Sequence, residues 1–156
     1  MAPPEMLARL EQLVTEIAAL HSKLILLVGP PRAGKTDLLT AFAEHTKAHI
    51  LNVGSELGRR MASIPMRQRH LQADTMLRVL ADQHVKGDLL LMDNIELLFD
   101  MSMQLNPLDL LKRHAHSKRV VAVWPGELVQ DRLTYAGMGH PEHRDYAKEG
   151  LVVLEI

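Results

Sequence analysis

Between the apolar runs Leu24-Ile-Leu-Leu-Val28 and Leu38-Leu39 lies the break Gly29-Pro-Pro-Arg-Ala-Gly34-Lys35-Thr36, which constrains the fold more than any other stretch of the chain. It satisfies G-x-x-x-x-G-K-[ST] at each required position, with a strand-like run before it and helical spacing at Leu38, Leu39, Phe42 and Ala43 after it. Its glycines let the chain turn tightly, so that successive backbone N–H groups can point into one concavity at the positive end of the following helix. Such a cradle selects a polyphosphate. Gly29, Pro30, Pro31, Arg32, Ala33, Gly34, Lys35, Thr36 and Asp37 are therefore read as the nucleotide-binding segment. Within it, Lys35 would meet the outer phosphates as a point charge, and the Thr36 hydroxyl would ligate Mg²⁺, which prefers oxygen ligands.

The rest of the chain alternates strands and helices around this segment. Leu7, Leu10, Leu13, Val14, Ile17 and Leu20 place one apolar stripe on an N-terminal helix within residues 1–22, expected to pack on the core. Helical spacing covers Thr36 to Lys47, and Ala48 to Val53 reads as a second strand. Residues 54–69 are basic and irregular around Pro65, and a helix follows over Leu71 to Val85. Asp88 to Asp93 is a third strand, Pro107 to His114 a helix, Arg119 to Trp124 a fourth strand and Leu151 to Ile156 a fifth. Short, continuously apolar strands separated by helices imply a parallel or mostly parallel sheet, because parallel neighbours need a crossover. The expected fold is α/β: a three-layer P-loop NTPase fold on a mostly parallel five-stranded sheet.

A length of 156 residues suits a single domain, and 47% apolar with 24% charged residues is an ordinary globular balance. The net charge of −1 gives no overall argument for a nucleic-acid or membrane surface. No cysteine is present, which excludes disulfides and thiolate metal sites. The first residues lack a basic stretch followed by a long apolar run, and no apolar run reaches the roughly 18 residues of a membrane span. A cytoplasmic protein that does not engage a membrane is the expectation.

An Mg²⁺ held by Thr36 needs a carboxylate from the tip of a neighbouring strand, and Leu89-Leu-Leu-Met-Asp93 supplies one. Many ATPases built this way place a water-polarising Glu directly after that Asp; here Asn94 stands there and Glu96 lies two residues on. Either Glu96 takes that role after a turn at Asn94, or Asp93 serves both metal and water, or Glu96 is a first-turn residue favoured by the helix dipole. At the end of the fourth strand, where a polar residue near the γ-phosphate is usual, Trp124 cannot orient a water and packs the sheet edge or meets a partner. Hydrolysis is therefore expected to be slow or partner-dependent.

Arg59, Arg60, Arg67 and Arg69 form the densest basic patch. Three uses compete: a finger reaching a neighbouring subunit's phosphate, a nucleic-acid contact through residues 59–69, or a solvated face. His114-Ala-His116 and His140-Pro-Glu-His143 lack the companions of a zinc site. The glycine-rich stretch from Tyr135 to Tyr146 reads as an ordered functional loop, with Arg144 a candidate sensor of bound nucleotide.

Taken together, the phosphate loop, Asp93-Asn94-Ile95-Glu96, the segment Asn52 to Arg60 and the loop Gly139-His-Pro-Glu-His-Arg144 resemble BrxF, the family of small P-loop proteins in BREX bacteriophage-defence systems. The resemblance implies an ATPase core of the AAA+ kind that uses ATP with Mg²⁺ in a bacterial cytoplasm, acts with other defence proteins, and has DNA as a further partner. Read from the residues themselves, Lys35, Asp93, Glu96 and the arginines at 59, 60 and 144 are the candidates for catalysis and its control. AAA+ ATPases carry a helical lid after the core, whereas this sequence ends at its fifth strand; the expected core lacks that lid, and a second copy or a partner would complete the pocket. Two alternatives stand beside this reading: a P-loop small-molecule kinase, and a structural subunit that holds nucleotide without hydrolysing it.

Overall fold

In the computed structural model, residues 3–156 are described; Met1 and Ala2, which open the segment read as the N-terminal helix, lie outside them. Leu24–Val28 forms strand β1, and every residue of it is buried. Alternation along the strand sends Leu24, Leu26 and Val28 to one face and Ile25 and Leu27 to the other, so one apolar run feeds two cores. The same division holds in β3 (Leu89–Asp93) and β4 (Arg119–Val123), where Leu90, Met92, Val120 and Ala122 face one core and Leu91, Val121 and Val123 the other.

With β2 (Ile50–Asn52) and the strand Val152–Glu155, these make a five-stranded sheet in which each neighbouring pair is parallel. β1 lies between β4 and the final strand, paired Leu26 to Ala122 and Leu26 to Val153. Helix α1 (Pro4–Ile17) and α2 (Lys35–Thr46) cover one face, α1 through Leu10, Leu13, Val14 and Ile17. The opposite face is covered by α3 (Val53–Met61), α4 (Arg69–His84) and α5 (Pro107–His114). The arrangement is the expected helix–sheet–helix sandwich, with all five strands parallel. Among the described residues no helix is long and apolar enough to cross a membrane.

Two stretches depart from the sequence reading. Residues 54–69 do not run irregularly: Val53–Met61 is helical, buries Val53, Leu57 and Met61 at intervals of one turn, and is capped by the Asn52 side chain accepting from the Ser55 N–H at 3.0 Å. The second strand is correspondingly shorter than Ala48 to Val53. The region before the last strand is not simply a loop either, because β5 (Glu127–Val129), β6 (Arg132–Tyr135) and β7 (Arg144–Ala147) pair as an antiparallel meander, and the strand Val152–Glu155 is thus β8. Residues 136–143 connect β6 to β7 without regular structure.

Trp124 fastens this meander to the main sheet. Its ring is fully buried, lies edge-on to Phe99 and Tyr146 with centroids 5.3 and 6.0 Å away, and its indole N–H donates to the Thr134 carbonyl at 2.9 Å. Of the two roles open to Trp124, the structure shows packing. Gly126 passes so close to the same Thr134 carbonyl that a methyl group there would overlap it. Gly126→Ala is expected to cost about 2 kcal/mol by overpacking. Urea unfolding would measure this, and a loss under about 0.5 kcal/mol, the size of a neutral surface change, would show that the meander is not held as described.

Candidate functional site

The loop after β1 is shaped by backbone handedness. Arg32 and Gly34 have φ of 67° and 102°, separated by one residue, and the Ala33 N–H bonds back to the Pro30 carbonyl at 3.1 Å. Gly34 is the residue before α2, and its left-handed conformation is one that a side chain would resist. The first turn of a helix has no carbonyls one turn back for its N–H groups, so this turn presents donors at the positive end of α2. Arg32, Gly34, Lys35, Thr36 and Asp37 line an open cleft of about 310 Å³ here.

A second cleft, of about 390 Å³, lies on the other side of Lys35 and Thr36, and the strand tips supply its acids. Asp93 ends β3 and Asn52 ends β2 in register with it. The Thr36 hydroxyl donates to Asp93 Oδ2 at 2.9 Å. Two oxygens that share an edge of an Mg²⁺ octahedron with bonds of 2.0–2.1 Å lie about 2.9 Å apart. A hydroxyl and a carboxylate oxygen at this spacing therefore fit that ion by donor type and by separation.

Glu96 opens a short 3-10 turn, Glu96–Phe99, and lines the same cleft. Asn94 makes this possible by adopting a φ of 54°, which turns the chain so that the acid two residues on, not the adjacent one, returns to the site. The Asn94 side chain donates to Asn52 Oδ1 at 2.9 Å, and its carbonyl accepts from the Gly54 N–H at 2.9 Å. Asn94 is thus a brace between two strand tips. Asn52 and Asn94 escaped the sequence reading as site residues; paired asparagines at adjacent strand ends are the signal that pointed to them.

Lys35 sits at the junction of the two clefts. Its ammonium donates to the Trp124 carbonyl at 3.0 Å, and burial lowers its pKa from 10.5 even though Glu96, then Asp93 and Glu127, act to raise it. Glu96 is the foremost of the three carboxylates acting on it.

The arginines lie elsewhere. Arg59 pairs with Glu56 at 3.7 Å on the exposed side of α3, and Arg60 donates to Gln83 of α4 at 3.1 Å. Arg67 is exposed, Arg69 donates to the Ile64 carbonyl, and Arg144 on β7 donates to the His143 carbonyl at 3.1 Å. None of these lines either cleft. His116 rests its ring 5.1 Å from that of His21, and His114 is buried in α5.

No protein family's sequence profile matches the chain, and no curated protein matches it. Solved structures do. A DNA replication initiation factor superposes with a TM-score of 0.52 at 16% identity, over 100% of this chain and 47% of its own. PCH-2 of C. elegans superposes with a TM-score of 0.43 at 13% identity, over 97% of this chain and 41% of its own. The chain spans about half the length of the first, and at that identity the likeness is one of fold.

Because folding lowers the Lys35 pKa, the unfolded chain binds the extra proton, and the stability cost of a charged Lys35 is full at neutral pH and fades as pH rises toward 10.5. Lys35→Met is therefore expected to melt higher than wild type without nucleotide at pH 7, with the difference narrowing as the pH approaches 10. Calorimetric scans across that range test the sign; a variant less stable at pH 7 would refute it.

Proposed function

We propose that this chain is an AAA+-like P-loop ATPase that binds ATP at the Lys35–Thr36 loop and hydrolyses it slowly until a second copy or a partner completes the site. The observation that carries the reading is the convergence of Lys35 and Thr36 from one segment with Asp93 and Glu96 from another, distant in sequence, on one cleft, with Thr36 and Asp93 in direct contact at 2.9 Å. Backbone N–H groups of Arg32 and of Gly34 to Thr36 hold the phosphate oxygens, the Ala33 N–H being taken by the Pro30 carbonyl. Lys35 exchanges its Trp124 carbonyl for the outer phosphate, which relieves a buried ammonium with a full counter-charge. Bound Mg²⁺, held by Thr36 and Asp93, would supply neutralisation of phosphate charge.

Glu96 accepts a proton from the water that attacks the γ-phosphorus, while the bond to the β,γ-bridging oxygen breaks and ADP leaves. Among the described residues lining this cleft, Lys35 is the sole cation. An added arginine is worth about 10³–10⁵ in rate in related phosphoryl transfers, so a site without one turns over slowly. Arg59 and Arg60 lie on α3 with partners Glu56 and Gln83 and line neither cleft of their own copy, which supports a finger role toward a neighbour's site in a homo-oligomer. The defence context, its protein partners and the use of 59–69 on DNA rest on the BrxF resemblance and on the arginine cluster.

A second reading, a small-molecule kinase, draws on one observation: a wide cleft of about 530 Å³, lined by Ser55, Gly58, Asp100, Tyr135 and Glu142, shares Asn94 and Glu96 with the phosphate cleft. An acceptor could stand there. Phosphate release without any acceptor separates the two.

Titration calorimetry with ATP and Mg²⁺ is expected to show binding by wild type and about a hundredfold loss in Lys35→Ala, the size of a lost charged contact near 2.7 kcal/mol. Glu96→Gln is expected to keep affinity and lose about a hundredfold in phosphate release. Equal release by Glu96→Gln and wild type would remove Glu96 from the chemistry; absence of binding by folded wild type would end the proposal.

A further inference from the structure

At the opposite end of the sheet, where β4 begins, α4, α5 and the turn 115–118 enclose a cavity of about 180 Å³. Parallel strands put their carboxyl ends together, so this cavity lies at the pole away from the nucleotide loop. Arg78, Arg113 and Lys118 line it against one carboxylate, Asp74, with His114 and Ser117 completing the wall. Asp74 is already covered, by Arg113 at 3.0 Å and Arg78 at 3.9 Å. Two further acids approach from outside the lining: Asp109 at 3.6 Å from Arg113 and Asp82 at 3.3 Å from Lys118, their side chains 65% and 64% exposed. Exposed pairs of this kind are weak and exchange readily with another anion.

The second observation concerns His114. Its side chain belongs to a residue only 7% exposed, and among the described residues its ring makes no hydrogen bond. Among the described residues every side-chain nitrogen or oxygen sealed from solvent has a partner, so ring nitrogens that lack one are reached by solvent, and His114 is one of the residues that line the cavity. A polar group this buried is normally matched.

We infer that the cavity between α4 and α5 is a phosphate-binding site separate from the nucleotide loop, in which the His114 ring, the Ser117 hydroxyl, Arg78, Arg113 and Lys118 receive a phosphoryl group. The ligand is either a free phosphorylated compound or a backbone phosphate of nucleic acid. A tetrahedral dianion fits a space of this size, and guanidinium pairs match its oxygens. The local field agrees: burial and then Lys118, with Arg113 and Arg78, hold the His114 pKa below 6.5, and Asp74 alone opposes them.

The test uses the full chain carrying Lys35→Ala, so that phosphate has no response at the nucleotide loop. Histidine ring resonances are followed by NMR at pH 7 while inorganic phosphate replaces chloride at constant ionic strength. The His114 signal, assigned by its loss in His114→Gln, is expected to move and saturate, and Arg78→Ala and Lys118→Ala are each expected to weaken the apparent affinity about tenfold. A short DNA duplex is then added: displacement of phosphate identifies a nucleic-acid backbone, and persistence of the phosphate signal identifies a free phosphoryl ligand, either of which supports the site. A His114 signal that stays still, or that moves equally with chloride, overturns it whatever the nucleotide titrations show.

Discussion

β1 is hydrogen-bonded along both edges, to β4 and to β8, and buried on both faces. The chain leaving it at Gly29 therefore starts from a strand with no free edge and no exposed face. A phosphate cradle made of backbone N–H groups works only if those groups cannot relax when the anion arrives, because their benefit lies in being oriented beforehand. The two cores on either side of β1, one under α1 and α2 and the other under α3, α4 and α5, are what hold that origin still.

The same constraint explains why the meander matters to the site. Trp124 follows β4 directly, with its backbone N–H on the Leu27 carbonyl, its own carbonyl on Lys35, and its indole on Thr134 of β6. One residue thus joins the central strand, the phosphate-loop lysine and the added antiparallel sheet. Phe99, stacked on Tyr135 at 3.9 Å and edge-on to Trp124, extends the link to the turn that carries Glu96. The meander is thus packed through Trp124 and Phe99 against both the residue that holds Lys35 and the turn that carries Glu96.

How much of this was legible beforehand depends on the kind of signal. β1 and the tip of β3 were read to within a residue, because continuous apolar runs ending in glycine or an acid have few alternatives, and so was α5, which Pro107 opens. α3 was missed although Val53, Leu57 and Met61 recur one turn apart, since Gly54, Gly58 and two arginines obscure a short helix whose cap, Asn52, belongs to the preceding strand. The meander was missed for a different reason: its strands are three or four residues long and half exposed, so no alternation is sustained long enough to register. In the site, Lys35, Thr36 and Asp93 followed from a spacing rule, whereas Trp124's carbonyl and the Asn52–Asn94 brace are backbone and cross-strand effects that a linear motif does not encode.

Lys35 and Glu96 also set the rate argument. A half-buried ammonium with three carboxylates acting on it is already partly neutralised before any phosphate arrives, so its pull on a triphosphate is less than that of an isolated lysine. Glu96 is the strongest of the three, and it is the same acid that would take the proton from water. Its negative charge serves proton abstraction but opposes the approach of the γ-phosphate, and with Lys35 the sole cation of that cleft among the described residues the opposition is only partly offset. A positive group brought in beside Glu96 resolves the conflict, and the open cleft past Asn94, walled by Asp100 and Glu142 as well, gives such a group both access and counter-charge. The proposed slow hydrolysis in isolation and acceleration on assembly would then be two consequences of one electrostatic arrangement.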